Sequence, residues 1–169
     1  MDESRRPVVS IVMGSDSDFP KLEGCIKTLK EFGVGLEARV ISAHRSPDLA
    51  HEFASTAEER GIRVIIAAAG GAAHLAGVIA SLTTLPVIGV PISSSAMQGV
   101  DALHSTVMMP PGVPVATVGI DASLNAAVLA VQILALADPD LRSALKAYKA
   151  KLAAGVQAKS QKIQKQLES

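Results

Sequence analysis

Apolar positions along this chain follow two alternating rhythms. Short runs rich in β-branched residues occur at Val8–Met13, Leu36–Ile41, Arg63–Ala68, Val87–Val90 and Val115–Val118. Between them, apolar residues recur every three or four positions, the spacing of one helix face. Leu22, Cys25, Ile26, Leu29 and Phe32 predict a first helix that Gly33 ends. Leu49, Phe53 and Ala57, with Ala50 and Ala54 beside them, predict a second, and Pro47 suits its first turn. Further helices are predicted over Leu75–Leu82, around Met97–Ser105 and over Ala122–Ala137.

Strands alternating with helices predict an α/β fold, a parallel sheet covered on both faces. The expectation is a three-layer, flavodoxin-like arrangement in one domain over residues 1–169, with a core of about 7–138. Asp138 can cap a last helix and Pro139 can occupy its first turn, so residues 139–169 are read as a C-terminal helical arm. Leu141, Leu145, Tyr148 and Leu152 give that arm one apolar stripe, and Lys and Gln dominate after Lys149. Two readings stay open for it: a solvated helix fraying at its end, or an arm packed on a neighbouring subunit. The helices at Ala73–Leu82 and Ala122–Ala137 are apolar nearly all round, which leads us to expect that other subunits bury them.

Composition narrows the function. Sixteen basic and sixteen acidic residues balance, and only 2% of residues are aromatic. Neither a basic surface nor a set of base-stacking platforms marks the chain for nucleic acid. The longest nearly apolar run, Ala122–Ala137, is shorter than the roughly 18–20 residues that span a bilayer and contains Asn125 and Gln132. No membrane partner is expected. The charged start, MDESRRPVVS, does not read as a secretory signal. The single cysteine, Cys25, excludes an internal disulfide and reads as a small core residue. A cytoplasmic protein is expected.

Right-handed crossovers place every strand-to-helix loop on the carboxyl edge of the sheet, where open α/β sheets bind ligands. Three loops there carry chemistry. The first, Gly14–Asp18 (GSDSD), precedes a helix, whose free N–H groups suit a phosphate. Ser15 and Ser17 add hydroxyls, and Asp18 suits ribose hydroxyls; alternatively, Ser17 or Asp18 is only the cap before Pro20. The second, Ser42–Asp48 (SAHRSPD), sets His44 beside Arg45. Arg45 fits a phosphate or carboxylate, or else an ion pair with Asp48 or Glu52. His44 can move a proton near neutral pH, or else bond a nearby carbonyl. The third, Ala68–Leu75 (AAGGAAHL), leaves room for a flat ring, or else for close helix–sheet packing. His74 either reaches the site or makes local bonds at a helix start. His51 and His104 lack supporting context, and no His or Cys spacing predicts a metal site.

These segments also occur in a familiar order. MGSDSD at 13–18, SAHRSPD at 42–48, AGGAAHL at 69–75, LPVIGVP at 85–91, GVDALHS at 99–105 and MPPGVPVATV at 109–118, with Asn125–Ala127 after them, closely resemble the phosphoribosylaminoimidazole carboxylase family. That family includes the N5-carboxyaminoimidazole ribonucleotide mutases. The resemblance covers roughly Pro7–Ala150, and several motifs in order are far more specific than one. The GGAAHL form of the third loop resembles the mutase class rather than the class that adds free CO2, which has a GRSN-like sequence there.

The resemblance implies conversion of N5-carboxyaminoimidazole ribonucleotide to its 4-carboxy isomer in purine biosynthesis, with no cofactor and no metal. It implies His44 as the catalytic residue and Ser15, Asp18 and Arg45 as substrate-binding residues, with Ser17 and Ser42 lining the same pocket. Gly71 and Ala72 are placed near the imidazole and the migrating carboxylate; Ala43, Gly70, His74 and Leu75 complete the candidate site. It implies a homo-octamer and a functional link to an ATP-dependent carboxyaminoimidazole ribonucleotide synthase. Ala76 replaces a common Pro, Met108 replaces a usual Gln close to the site, and 119–125 is a shortened Gly/Ala-rich turn. The alternatives are a CO2-dependent carboxylase of the same fold and a non-catalytic nucleotide-binding module.

Overall fold

The computed structural model describes residues 6–94 and 96–167. The charged residues 1–5, on which the expectation about a secretory signal rests, and the last two residues of the arm lie outside the described residues. Five strands, β1 (Val9–Met13), β2 (Leu36–Val40), β3 (Val64–Gly70), β4 (Val87–Ile92) and β5 (Ala116–Thr117), form a parallel sheet in the order β2-β1-β3-β4-β5. This is the flavodoxin-like order, whose direction of winding reverses between β1 and β3. Met13, the last residue of β1, pairs with Val40 on one side and Ala68 on the other. The first two loops therefore leave the sheet at the same height, while β3 continues two residues further, to Gly70, before the third loop begins.

Side chains alternate across the sheet as a strand requires. Val9, Ile11 and Met13 enter one core with Leu22, Cys25 and Leu29 of α1 (Phe19–Glu31) and Ala126, Ala130 and Val131 of α5 (Ser123–Leu134). Val12, Ile65 and Ala67 enter the other, with Phe53 of α2 (Pro47–Ser55) and Leu75 and Ile79 of α3 (Leu75–Ser81). Cys25 is fully buried in the first core. α4 (Val100–Val107) lies against β4, and Gly89 makes this possible: a Cβ there would overlap Thr106 Cγ2.

Four details depart from the sequence reading. β3 runs through Gly70 rather than ending at Ala68, because Ala69 and Gly70 pair with Pro91 and Ile92 of a longer β4. Small residues look like loop in a pattern, yet a ladder needs only their backbones. β5 shrinks to two residues, Ala116–Thr117, with Pro114, which lacks a ladder N–H, just before it, although the Val118 N–H still donates to the Gly89 carbonyl at 3.0 Å. α4 begins at Val100 rather than near Met97, because Gln98 and Gly99 hold φ of 52° and 88°. α5 is buried largely by its own chain, through α1, α6 (Pro139–Leu167), β3 and β4, while Leu124 and, just past its end, Leu136 stay exposed.

Asp138 caps α6, its Oδ1 accepting from the N–H groups of Asp140 and Leu141 at 3.0 Å each. Leu141 and Leu145 pack on the first core, and the Tyr148 ring meets Phe32 at 5.5 Å. From residue 149 to 167 the helix is exposed and continuous. No helix among the described residues is long and apolar enough to cross a membrane.

Candidate active site

The first loop is held to the sheet by Gly14, whose N–H donates to the Ala68 carbonyl at 3.0 Å. A single helical turn, Asp16–Asp18, then leads into α1. Ser15 caps that turn: the Ser17 N–H donates to Ser15 Oγ at 3.4 Å, and the Ser15 N–H donates to Asp18 Oδ2 at 3.2 Å. Asp18 stands at the N-cap position of α1, ahead of Pro20, but its side chain makes no cap bond there and the residue is only 4% exposed. Burial raises its pKa above the usual 3.8, the Ser15 N–H opposes that, and the nearby Asp16 charge adds to it.

The second loop is closed on itself. Ser46 donates its N–H and its hydroxyl to the Ser42 carbonyl, each at 2.9 Å, and the Ser42 N–H donates back to Ser46 Oγ at 3.2 Å. Arg45 lies across to the first loop, with Nη2 donating to the Gly14 carbonyl at 3.3 Å and Nε donating to Ser42 Oγ at 3.3 Å. Among the described residues no ion pair joins it to Asp48 or Glu52. Among the described residues the His44 ring meets no carbonyl; Nε2 lies 2.7 Å from Nδ1 of His74.

The third loop turns sharply where Gly71 and Ala73 adopt φ of 62° and 43°, and the Ala73 N–H donates to the Gly70 carbonyl at 3.2 Å. Together the loops surround a cavity of about 510 Å³ at the β1/β3 switch point. Ser15, Ser17 and Asp18 line it from the first loop and Ser42, Ala43, His44 and Arg45 from the second; Gly70, His74 and Leu75 line it from the third. Gly71 and Ala72 do not, because the turn at Gly71 carries them away from the sheet edge. Gly14, Ala69, Ala73 and Ser94 complete the lining.

Ser94 escaped the sequence reading, although the loop after a fourth parallel strand must emerge at the same edge. It is held from behind. Asp121 accepts from the N–H of Ser93 at 3.0 Å and from the Ser93 hydroxyl at 2.5 Å, and pairs with Lys21 at 2.7 Å. Burial alone would raise the Asp121 pKa, but the hydrogen bonds from Lys21 and Ser93 and the Lys21 charge outweigh it and lower the value. Met108, at the end of α4, is 75% exposed and lies outside the cavity of this chain; Ala76 is buried in the second core. His51 and His104 are exposed and also outside it. Among the described residues no cluster of His, Cys, Asp and Glu could hold a metal ion.

The open parallel sheet and its switch-point cavity, with one guanidinium, one buried carboxylate and two imidazoles, have the form of a small-molecule site in an α/β enzyme. More particularly, the chain belongs to the AIR carboxylase family, whose family model matches residues 8–155. It is 59% identical over 143 residues to the N5-carboxyaminoimidazole ribonucleotide mutase of Pyrococcus abyssi (strain GE5 / Orsay), covering 85% of this chain and 82% of that protein. It is 51% identical over 164 residues to the phosphoribosylaminoimidazole carboxylase of Schizosaccharomyces pombe, covering 97% of this chain but only 30% of that longer protein. The crystal structure of Treponema denticola PurE superimposes with a TM-score of 0.82 at 30% identity, covering 89% of this chain and 94% of that one.

Proposed function

We propose that this enzyme converts N5-carboxyaminoimidazole ribonucleotide to the 4-carboxy isomer in purine biosynthesis, with His44 as acid and base. The observation that carries the reading is the convergence of Asp18, His44 and Arg45, from two separate loops, on one cavity at the β1/β3 switch point. Identity of 59% to a protein named as this mutase supports the same substrate.

The chemistry fits a site without helpers. The carbamate C–N bond breaks, CO2 departs, and the electron pair stays on the exocyclic nitrogen, which takes one proton. The electron-rich C4 of the ring then attacks the same CO2, and the new C–C bond leaves one surplus proton on C4. One proton is delivered and one is removed, so a single histidine ends each turnover as it began. Holding CO2 inside the cavity gives recapture a proximity advantage over escape. Arg45 supplies a planar donor fork for the phosphate or the carboxylate, and the buried Asp18 accepts from ribose hydroxyls. Ser15, Ser17 and Ser42 add donors around the phosphate, and Ala43, Gly70 and Leu75 leave room for the ring.

The longer Schizosaccharomyces pombe relative supports a functional link to an ATP-dependent synthase that makes the unstable carbamate, since this chain matches only 30% of it. The single buried cysteine supports a cytoplasmic setting. Exposed Leu152, Val156 and Ile163 continue the stripe by which α6 packs on its own domain, which supports assembly into a homo-octamer. A monomeric mass in solution would reject the assembly.

The deciding experiment is turnover of N5-carboxyaminoimidazole ribonucleotide without bicarbonate, ATP or metal. Formation of the 4-carboxy isomer, lost by about 100-fold or more in His44→Asn while nucleotide still binds, is the expected result. Near-normal turnover by His44→Asn rejects the histidine role. Product only from aminoimidazole ribonucleotide plus bicarbonate makes the protein a CO2-dependent carboxylase.

A further inference from the structure

The contact between His44 and His74 joins two loops that sequence keeps thirty residues apart. Nε2 of His44 and Nδ1 of His74 stand 2.7 Å apart, within hydrogen-bond range, with the ring planes inclined by 75°. Only one hydrogen can lie between them. One nitrogen must donate and the other must present a lone pair, so the two rings cannot both be imidazolium while they touch. Both backbones are anchored. The Ser42–Ser46 hydrogen bonds close the loop that carries His44, and His74 stands at the start of α3, where its carbonyl accepts from the Val78 N–H at 3.0 Å.

An exposed imidazole on a loop ordinarily samples several rotamers and both neutral tautomers. A partner on one ring nitrogen removes that freedom, and which nitrogen carries the proton is set by the bond the other makes. Resting on the function proposed above, we propose that His74 is the positioning residue of His44: it shares one N–H with Nε2, fixes the ring at the cavity, and holds it in a single tautomer. The other nitrogen of His44, Nδ1, is then the one left free to exchange a proton with the substrate. His74 acts through His44, so its loss slows the chemical steps without weakening nucleotide binding.

The test compares His74→Leu and His74→Asn in the full chain, reading kcat and KM on N5-carboxyaminoimidazole ribonucleotide and the ring 15N shifts of His44 by NMR. Leu removes the partner atom; Asn places a polar atom close to where Nδ1 stands. His74→Leu should lower kcat by about tenfold or more with KM within about twofold, and His74→Asn should recover kcat to within about threefold of the parent. The parent His44 ring should show one protonated and one bare nitrogen, and His74→Leu should average the two tautomers. A rise in KM with kcat unchanged would make His74 a plain substrate contact and overturn the proposal. So would unaltered His44 shifts in His74→Leu, or an Asn variant as slow as Leu. If the parent fails to turn over this substrate, the proposed function fails, while the ring shifts of the parent still decide the pairing. If His74→Leu does not fold, an averaged tautomer pattern in the parent alone overturns it.

Discussion

Ser15 and Asp18 close on each other at the head of the first helix, the Ser15 N–H donating to the Asp18 carboxylate across 3.2 Å. The bond holds a carboxylate that is only 4% exposed on the wall of the cavity, with no cation paired to it among the described residues. Burial at a ligand site without a counter-ion costs stability, and that cost has a pH signature.

The folded pKa of Asp18 is raised above 3.8, so the folded chain holds this proton more tightly than the unfolded chain. The contribution to stability is greatest below the unfolded value and is lost as pH rises through the folded one. Asp18→Asn should therefore raise Tm at pH 7, with the gain vanishing below about pH 4, and should weaken nucleotide binding. Thermal melts across pH check the first expectation, and equal melts at pH 7 would contradict it.

Arg45 reaches a carbonyl and a hydroxyl, each at 3.3 Å, and forms no ion pair with the acidic residues of the helix that follows it, so its loss should cost little stability. Its planar fork is the feature a phosphate or carboxylate uses, and Lys cannot reproduce that geometry. Arg45→Lys should raise KM by about tenfold or more while Tm moves little. Steady-state kinetics with a parallel melt separates the two effects.

Gly70 accepts no side chain because a Cβ there would overlap Ser94 Oγ and stand 2.7 Å from Ser94 Cβ. Gly70→Ala should cost about 1–3 kcal/mol and displace Ser94 from the cavity wall. Adding Ser94→Gly should return most of that stability, a coupling that a double-mutant cycle measures. Additive losses would mean that the clash lies elsewhere.

Cys25 is fully buried, and burial pushes its thiol up to about 12. Thiol reagents should leave the folded protein unmodified and react only as fast as it opens. Because the folded thiol ionises later than the unfolded one, stability should fall as pH rises above the unfolded value of 9.0. Rapid labelling under native conditions would contradict this burial.

The periodicities of the chain determined five parallel strands, the helices between them and the edge at which the loops gather, because residue spacing sets which face an element buries and crossovers have one hand. They also marked His44, Arg45 and Asp18, which stand out as polar residues at strand ends. Only the tertiary structure decided how those residues meet. The Ser15 cap of the Asp16–Asp18 turn, the reach of Arg45 to Gly14, Ser94 at the cavity wall and the His44–His74 pair were all settled by the folded loops, and most of them join loops from different strands. β1, β2 and β3 must lie side by side in register before such contacts exist. Local patterns record which face a residue takes along its own element. The distance between two loop side chains depends instead on strand register and sheet order, which no single segment encodes.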